Sequence, residues 1–349
     1  MVYCTLFDSN FLDRGLVLIK SLFRVDNKAR LYVLCMDDLC YEVLSQENME
    51  QLLLIKLSEF EDERLLSIKK KRSRGEYCWT CTAMEIKYVL TKFHEEMCTY
   101  IDADMKFYAN PDILIQEMKD QGCVVQVVPH RFAPDKKMKQ RELMSGKYCV
   151  QFNTFTNDMR SMKLLDSWVE KCMNDCSMEN GGDQKYIDTW SDISFVNKTS
   201  NIGAGVAPWN VNRYKLVDQN QLIIQDRFDS QKGQIIFYHF QNLVFPKEGI
   251  ARVSPYLEHW IFDRRLVRDI YRDYLNDLYQ NNQYLKQKYG VDCYICKYIT
   301  EEKKKNYSLI YKIKKWLKEP LPTKRDSLNY YILCRIRRKK SEFAFFEKN

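Results

Sequence analysis

Two aspartates, Asp102 and Asp104, stand one residue apart directly after the short apolar run at residues 97–101. If that run is a β-strand, residues i and i+2 point to the same side, so both carboxylates project together from its end. In an open α/β sheet, the carboxyl ends of the strands border the crevice where ligands bind. Paired carboxylate oxygens suit Mg²⁺ or Mn²⁺, and a diphosphate would supply further oxygens. A solvated loop pair is the alternative, because an isolated Asp-x-Asp is common.

The segments before this pair alternate between apolar runs and helical spacing of apolar residues. The patterns predict strands at residues 2–7, 31–36, 52–57 and 97–101, and helices at residues 11–23, 40–48 and 83–93. Strands that alternate with helices indicate a largely parallel sheet with crossover helices.

The chain beyond Asp104 is less regular. Its patterns predict strands at residues 124–128, 151–155 and 235–240, a helix at residues 163–176, and mainly helix from about Pro255 onward. We therefore expect a catalytic domain over residues 1–250, a helical extension over residues 251–302 and a basic tail over residues 303–349.

The composition is that of a soluble globular protein, with 45% hydrophobic and 29% charged residues. No apolar run reaches the roughly 18–20 residues that a membrane span needs. The first residues resemble a strand rather than a secretion signal, so the 13 cysteines are predicted to be reduced thiols in the cytoplasm. The pairs Cys78/Cys81 and Cys293/Cys296 would allow a shared zinc site, although each pair also fits ordinary packing.

Positive charge is concentrated in the tail. The net charge of the chain is +8, and residues 301–349 contain 15 Lys or Arg against 6 Asp or Glu. A predicted helix there carries one apolar face, formed by Leu309, Ile310, Ile313, Trp316 and Leu317. Basic amphipathic helices are typical of proteins that bind an anionic membrane surface, here the inner face of the cell membrane. Packing of this face on the catalytic domain is the alternative, and without a recognised nucleic-acid-binding fold no nucleic-acid partner is expected.

Four further short motifs follow Asp102-Ala103-Asp104 along the chain. They are Phe152-Asn153, Gly182-Asp183-Gln184-Lys185-Tyr186, Pro208-Trp209-Asn210 and Tyr238-His239-Phe240. In this order, over residues 1–245, the sequence resembles the A-type-fold nucleotide-sugar glycosyltransferases and, distantly, glycosyltransferase family 8. The resemblance implies an α/β, Rossmann-like fold with a mostly parallel central sheet flanked by helices. The Gly-x-x-Lys-Pro-Trp sequence that follows the histidine in that family is absent, and the chain reads Gln241-Asn242-Leu243-Val244 instead.

The resemblance implies a role for five of these residues. Asp102, Asp104 and His239 would bind Mn²⁺ or Mg²⁺, with Asp102 also near the donor ribose. Asp183 and Gln184 would be catalytic and face the donor sugar, since a carboxylate and an amide can bond its hydroxyls. The structural alternatives are a core histidine at position 239 and a helix N-cap at Asp183.

Further residues are candidates for the donor pocket. Asp8 and Asn10 follow the first strand, where folds of this kind hold the base, and Thr5 would contribute through its backbone. The other candidates are Thr80, Asn153, Trp209, Asn210 and Arg131. Strand-end and turn chemistry is the alternative for the two asparagines. Arg131 would bind an acceptor carboxylate or phosphate, or else be a solvated surface residue.

The reaction implied is transfer of a sugar from a nucleoside diphosphate sugar, with UDP expected, to a saccharide or lipid-linked acceptor. Retention at the anomeric carbon and a role in cell-surface polysaccharide assembly are expected. A nucleotidyltransferase would need a glycine-rich loop after the first strand, and residues 6–12 contain no glycine. A phosphatase would carry its Asp-x-Asp on the first strand. The sequence also leaves open the alternative that this chain is a non-catalytic nucleotide-sugar-binding protein on a related fold.

Overall fold

The computed structural model describes residues 1–134, 136–247, 250–254, 257, 264–293, 333–337 and 340–344. The strands are β1 (Val2–Phe7), β2 (Arg30–Cys35), β3 (Leu52–Lys56), β4 (Met97–Ile101), β5 (Met105–Phe107), β6 (Val125–Pro129), β7 (Tyr148–Thr156), β8 (Val196–Lys198), β9 (Tyr214–Asp218), β10 (Ile223–Asp226), β11 (Lys232–Gln234), β12 (Phe237–His239), β13 (Val244–Lys247), β14 (Ile250–Arg252), β15 (Leu333–Arg337) and β16 (Lys340–Ala344). The helices are α1 (Leu12–Val25), α2 (Asp38–Ser45), α3 (Leu57–Phe60), α4 (Glu63–Lys69), α5 (Arg74–Lys92), α6 (Asp112–Asp120), α7 (Lys136–Ser145), α8 (Met159–Asn174) and α9 (Arg264–Tyr289), with 3₁₀ turns at Ser9–Phe11, Gln184–Trp190 and Val211–Arg213.

The central sheet has seven strands in the order β3-β2-β1-β4-β7-β6-β8. Strand β7 is antiparallel to both of its neighbours, and the other neighbouring pairs are parallel. The predicted α/β architecture, with a mostly parallel sheet and flanking helices, is therefore confirmed. After β1 the chain first adds β2 and β3 on one side and then returns to add β4 on the other. The carboxyl ends of β1 and β4 consequently form a topological switch point, the place where open α/β sheets bind ligands.

Helices cover both faces of this sheet. Alternate side chains of a strand point to opposite faces, so Cys4 of β1 packs on one core and Tyr3 on the other. The first core contains Ile86 of α5 and Trp168 of α8, and the second contains Leu16 of α1. Burial on both faces explains why the strands are nearly continuous apolar runs rather than alternating ones.

Helix α5 begins at Arg74, about two and a half turns before the predicted start at residue 83. The Glu76 N–H donates to the Ser73 hydroxyl oxygen, which caps the helix, and the Ser73 N–H donates to the Glu76 carboxylate at 2.9 Å. This reciprocal capping box satisfies two backbone donors at the helix start. The extra turns place Trp79 and Thr82 beside the switch point.

A second set of elements packs against the carboxyl side of the sheet. Strand β5 pairs antiparallel with β12, and helix α9 lies against both α1 and the β5 region. Lys106 of β5 is 1% exposed and lies 2.6 Å from the carboxylates of both Asp273 and Asp277 on α9. A buried ammonium is tolerated only when it is paired in this way. The pairing fixes the strand that directly follows Asp104.

The C-terminal regions contain one long helix and two strands among the described residues. Helix α9 falls within the predicted helical extension. Strands β15 and β16, however, lie in the tail, where we predict mainly helix, and β16 pairs with β14 of the catalytic domain. Only the Arg335-Ile336-Arg337 part of β15 alternates between basic and apolar residues, and β16 shows no such alternation, so the sequence pattern did not identify the pair. The amphipathic segment at residues 309–317 and the boundary near residue 303 lie outside the described residues.

No helix in the described part of the chain is both long and apolar enough to cross a membrane. The cysteines that the structure describes are free thiols. Cys296, one partner of the zinc alternative, lies outside them.

Candidate functional site

Asp102, Asp104 and His239 come together at the switch point. The Nε2 atom of His239 lies 3.0 Å from Asp104 Oδ1 and 3.8 Å from Asp102 Oδ2. One candidate ligand atom from each residue falls within 4.8 Å of the other two. Strand pairing brings this about, because β12 aligns His239 with Met105 of β5 and the Phe240 N–H donates to the Asp104 carbonyl at 2.9 Å.

The second nitrogen of His239 is held by Gln151 of β7. The His239 Nδ1–H donates to the Gln151 Oε1 atom at 2.9 Å. This bond leaves Nε2 directed at the two carboxylates, which is how histidine ligands to metals are commonly oriented. The ring also meets the Trp209 ring edge-on at 5.3 Å. His239 is therefore packed, as the structural alternative expects, but both of its nitrogens meet polar groups.

The three side chains shift one another's pKa values. Desolvation raises the pKa of Asp102 to about 6, although His239 opposes the shift. Desolvation also acts to raise the pKa of Asp104, but His239 and Arg14 outweigh it and lower that pKa. The pKa of His239 is raised well above its ordinary value because Asp104 outweighs the effect of burial. Binding of a divalent cation here would displace the imidazolium proton as the counter-charge.

The donor set fits Mn²⁺ or Mg²⁺. Two carboxylates and one neutral imidazole offer hard oxygen ligands with one nitrogen, and both aspartate side chains remain partly exposed, at 26% and 21%. Partial exposure leaves room for diphosphate or water oxygens to complete the coordination. In the part of the chain that the structure describes, this is the group of side chains that could hold a metal ion.

The cluster lies in the wall of a cavity of about 650 Å³. That volume is within the range of sites for small ligands. One side is a face of α5, and another is the segment that follows β12. Of the sequence candidates, those lining the cavity are Asp8, Asn10, Asp102, Asp104, Asp183, Gln184, Trp209 and His239.

At the end of β1, Asp8 is held in place by its neighbours. Its Oδ1 atom accepts from the Asn10 N–H at 2.8 Å, and its Oδ2 atom lies 2.5 Å from Nη2 of Arg74. The same guanidinium reaches Asp37 at 3.2 Å, and Asp37 also accepts from the Ser9 N–H at 3.1 Å. The sequence analysis missed Arg74, which lines this end of the cavity, and Asp37, which holds it from behind.

Asp183 and Gln184 line the cavity at a 3₁₀ turn. Asp183 is 5% exposed, and desolvation together with nearby Asp102 raises its pKa to about 8. Asp183 occupies the N-cap position of this turn, as the structural alternative expects, but its side chain makes no capping hydrogen bond. The Gln184 amide donates to the Ser145 carbonyl at 2.6 Å. Gly182 has a φ of +63°, and a Cβ there would lie 3.0 Å from the Trp79 ring, so only glycine allows this close approach.

Two predicted contacts are corrected because their polar groups are used elsewhere. Arg131 donates from Nη1 to the Ala204 carbonyl at 2.7 Å and from Nη2 to the Thr199 carbonyl at 2.6 Å. Asn210 donates to the His130 and Gly205 carbonyls at 2.8 and 2.9 Å. Neither side chain lines the cavity, and both join loops of the backbone. The turn role is the one that the structure shows for Asn210, and the Arg131 guanidinium is partly buried and bonded to two backbone carbonyls.

Three other candidates also lie outside the cavity. Thr80 faces the far side of α5, where its hydroxyl donates to the Glu76 carbonyl at 2.7 Å and accepts from Arg72. Thr5 is fully buried within β1, two residues before the strand ends at Phe7. Asn153 is fully buried in β7 opposite Tyr100, and its amide has no hydrogen-bond partner among the described residues.

His130 is a cavity residue that the sequence analysis did not select. It follows β6 and is 3% exposed, its Nδ1–H donates to the Gly146 carbonyl at 2.9 Å, and its ring stacks on Phe132. Burial lowers its pKa to about 4, so the imidazole is neutral near pH 7 and Nε2 is an acceptor. The available signal was a polar residue shortly after a predicted strand. The sequence analysis used that signal to select the neighbouring Arg131 instead of His130.

Comparison with known proteins gives relatives whose function is not described. The chain is 29% identical to uncharacterized protein YfnF of Bacillus subtilis (strain 168) over 300 residues, covering 82% of this chain and 96% of the relative. It is 26% identical to uncharacterized protein YfnD of the same organism over 284 residues, covering 79% and 88%. No protein-family model matches the chain.

Solved structures with a similar backbone include two glycosyltransferases. Galactosyltransferase LgtC, in complex with donor and acceptor sugar analogs, has a TM-score of 0.48 at 11% identity and covers 80% of this chain and 96% of its own. Mouse xyloside xylosyltransferase 1 has a TM-score of 0.47 at 11% identity and covers 69% and 98%. Likeness at this level does not define a function, which must come from the site itself.

Proposed function

We propose that this chain is a metal-dependent glycosyltransferase. It would move a sugar from a nucleoside diphosphate sugar, with UDP as the expected nucleotide, to a saccharide or lipid-linked acceptor. The observation that carries the proposal is the cluster of Asp102, Asp104 and His239 in a cavity at the switch point of the sheet. This position supports a ligand that carries a diphosphate, because such ligands bind at switch points and engage divalent cations.

The proposed roles are assigned to residues that line the cavity. Asp8 and Asn10 lie at the end of β1 and would bind the base and ribose. Asp102, Asp104 and His239 would hold Mn²⁺ or Mg²⁺, which when bound supplies Lewis-acid stabilisation of the departing diphosphate. Proper placement of the three ligands depends on the β5–β12 pairing and on Gln151.

The sugar would lie against Asp183, Gln184 and His130. These groups can accept from or donate to sugar hydroxyls without bringing a net charge into a dry pocket. Retention of the anomeric configuration is part of the proposal and rests on the sequence resemblance. Asp183 is the candidate carboxylate on the sugar side of the cavity.

A thermal-shift panel of nucleotides and nucleotide sugars, with and without Mn²⁺, tests the proposal. A ligand at 100 times its Kd adds about 2.7 kcal/mol to the free energy of unfolding, which a melting curve detects. UDP with Mn²⁺ should raise the melting temperature of the wild type and of D166N, whose surface carboxylate pairs with Lys87 away from the cavity. Asp104→Ala should show no Mn²⁺-dependent shift. A UDP shift that EDTA leaves unchanged would contradict the metal site.

Turnover separates an enzyme from a binding protein on the same fold. The wild type, incubated with UDP-sugars and Mn²⁺, should slowly release UDP even without an acceptor, because water can take the acceptor's place. Tight binding of the nucleotide sugar with no release under any metal would favour the non-catalytic alternative.

Membrane docking by the tail and a cytoplasmic location at the inner face of the membrane remain proposals. Deleting the tail is a poor test, because it removes β15 and β16, and β16 pairs with β14. Replacing Lys312, Lys314, Lys315 and Lys318 with glutamine keeps those strands. The wild type should sediment with anionic vesicles at low salt, and the substituted protein should not. Equal sedimentation of both proteins would favour packing of the tail on the domain.

A further inference from the structure

The cavity is rich in acidic side chains, and its permanent cations are few. Among the described residues that line it, Asp8, Asp102, Asp104 and Asp183 are acidic, and the arginines are Arg14 and Arg74. Arg74 already meets Asp8 and Asp37 and is half exposed. A nucleoside diphosphate brings further negative charge. Arg14 is the remaining permanent cation in that lining.

Arg14 is fixed in place in the first turn of α1. Its side chain is 8% exposed, its Nη1 lies 3.2 Å from Asp13 Oδ1, and its Nη2 donates to the Leu243 carbonyl at 3.1 Å. The guanidinium carbon lies 4.8 Å from the centre of the Phe11 ring and 5.5 Å from that of Phe245. Contacts with two aromatic rings hold a guanidinium without consuming its N–H donors.

These contacts leave Arg14 with donors for a ligand. A guanidinium has five N–H donors, and the two hydrogen bonds above account for two of them. The Leu243 carbonyl that accepts from Arg14 follows three residues after Phe240, whose N–H donates to the Asp104 carbonyl at 2.9 Å, so the guanidinium and the metal cluster border the same segment. Asp13, in contrast, is fully buried and does not line the cavity. Arg14 is thus a buried, oriented cation on the Asp104 side of the cavity.

The segment after β12 completes this arrangement. Residues 241–245 line the cavity and contain no lysine or arginine. Leu243 and Phe245 of this segment contact Arg14 directly. The wall that closes over the metal cluster therefore holds a cation that comes from α1, far away in the sequence.

We propose that Arg14 is a positioning residue that binds the diphosphate of the donor beside the metal. The inference rests on the proposed glycosyltransferase function. A guanidinium fork suits phosphate oxygens, because parallel N–H donors match their spacing. The competing role for Arg14 is purely internal, as the counter-charge of Asp13 and Asp104.

The test is the preference for UDP over UMP, measured by calorimetry with Mn²⁺ on the full chain. The readout is the ratio of the UMP Kd to the UDP Kd. Charge-assisted hydrogen bonds contribute about 1.5–3 kcal/mol, so Arg14→Gln should lower this ratio by about 10- to 100-fold. The affinity for UMP should change much less. Arg14→Lys should restore part of the ratio, since it keeps a point charge.

Two controls keep this test decisive. Asp13→Asn keeps the side-chain oxygen that faces Arg14 and should retain the wild-type ratio. If Arg14→Gln unfolds because it leaves Asp13 as an unpaired buried charge, the double variant D13N/R14Q removes both charges and takes its place. An unchanged ratio in the folded variant overturns the role of Arg14. Absence of Mn²⁺-dependent UDP binding in the wild type would instead contradict the proposed function.

Discussion

The two ends of the cavity handle charge in opposite ways. At the metal end, Asp104 stays ionised because His239 and Arg14 compensate it. Asp183 and His130 form the part of the cavity that is proposed to bind the donor sugar, called here the sugar end. There burial suppresses charge, since the pKa of Asp183 is raised to about 8 and that of His130 is lowered to about 4. The difference teaches that one cavity can keep negative charge for a cation and present neutral hydrogen-bonding groups to hydroxyls.

The largest expected effect comes from removing the charge at the metal end. Asp104→Asn should abolish Mn²⁺-dependent UDP binding and reduce UDP release by orders of magnitude, because one ligand and its charge are lost together. Calorimetry and a UDP-release assay measure the two quantities. The D166N protein should behave as the wild type does. If Asp104→Asn still binds UDP in a Mn²⁺-dependent way, the proposed difference in charge between the two ends of the cavity is wrong.

The sugar end should show a different profile. Asp183→Asn keeps the shape of the side chain and should lower UDP release by about 10²-fold or more, while UDP affinity stays within a few-fold of the wild type. The expected reason is that Asp183 meets the sugar and not the nucleotide. A parallel loss of UDP affinity and turnover would place Asp183 with the metal end or with the fold.

A smaller effect is expected from Gln151, which does not bind the metal itself but holds the ligand His239 in place. Gln151→Leu removes the acceptor of the His239 Nδ1–H, so the ring loses the bond that directs Nε2 at the carboxylates. Loss of such a supporting group costs about 10–100-fold in metal affinity. Mn²⁺ affinity, followed by electron paramagnetic resonance, is the readout. Full Mn²⁺ affinity in a folded Gln151→Leu protein would show that Gln151 does not position His239.

The smallest expected effect is the contribution of His130 to the loss of stability at acid pH. Its pKa is about 4 in the folded chain and about 6.5 in an unfolded one. The unfolded state therefore binds more protons between these values, and this histidine lowers the free energy of unfolding as the pH falls from 6.5 to 4. His130→Asn can keep the bond to Gly146 and should recover up to ~3 kcal/mol of the stability lost on acidification.

Denaturant unfolding at pH 7 and pH 4 measures this effect. The matched control is His94→Asn, because His94 is exposed and its φ of 56° is one that asparagine tolerates. An acid loss in His130→Asn equal to that of the wild type and of the control would show that His130 is not a buried neutral group.

The sheet was predictable because its strands are local patterns. The predicted bounds of β1 and β4 agree with the structure, since each is an apolar run interrupted by a single threonine, Thr5 or Thr99. The start of α5 was missed because its first turns contain Arg74, Gly75 and Glu76, which show no apolar spacing. The Ser73–Glu76 capping box was the signal that could have located it.

The site was predictable only where motifs name their residues. A motif identified His239 as a candidate. Its closeness to the two aspartates, however, depends on the pairing of β5 with β12, two three-residue strands that lie far apart in the sequence. Arg131 and Asn210 have the residue types of ligands, but distant carbonyl groups use their donors. Arg14 looked like an ordinary helix residue, because its ring contacts with Phe245 depend on the fold.

The most direct measurement of the central claim is the location of manganese in the folded protein. Crystals grown with Mn²⁺ and UDP should give an anomalous peak between Asp102, Asp104 and His239, with diphosphate oxygens completing the coordination. UDP bound in the cavity with no manganese at these three residues, or manganese bound elsewhere, would contradict the account.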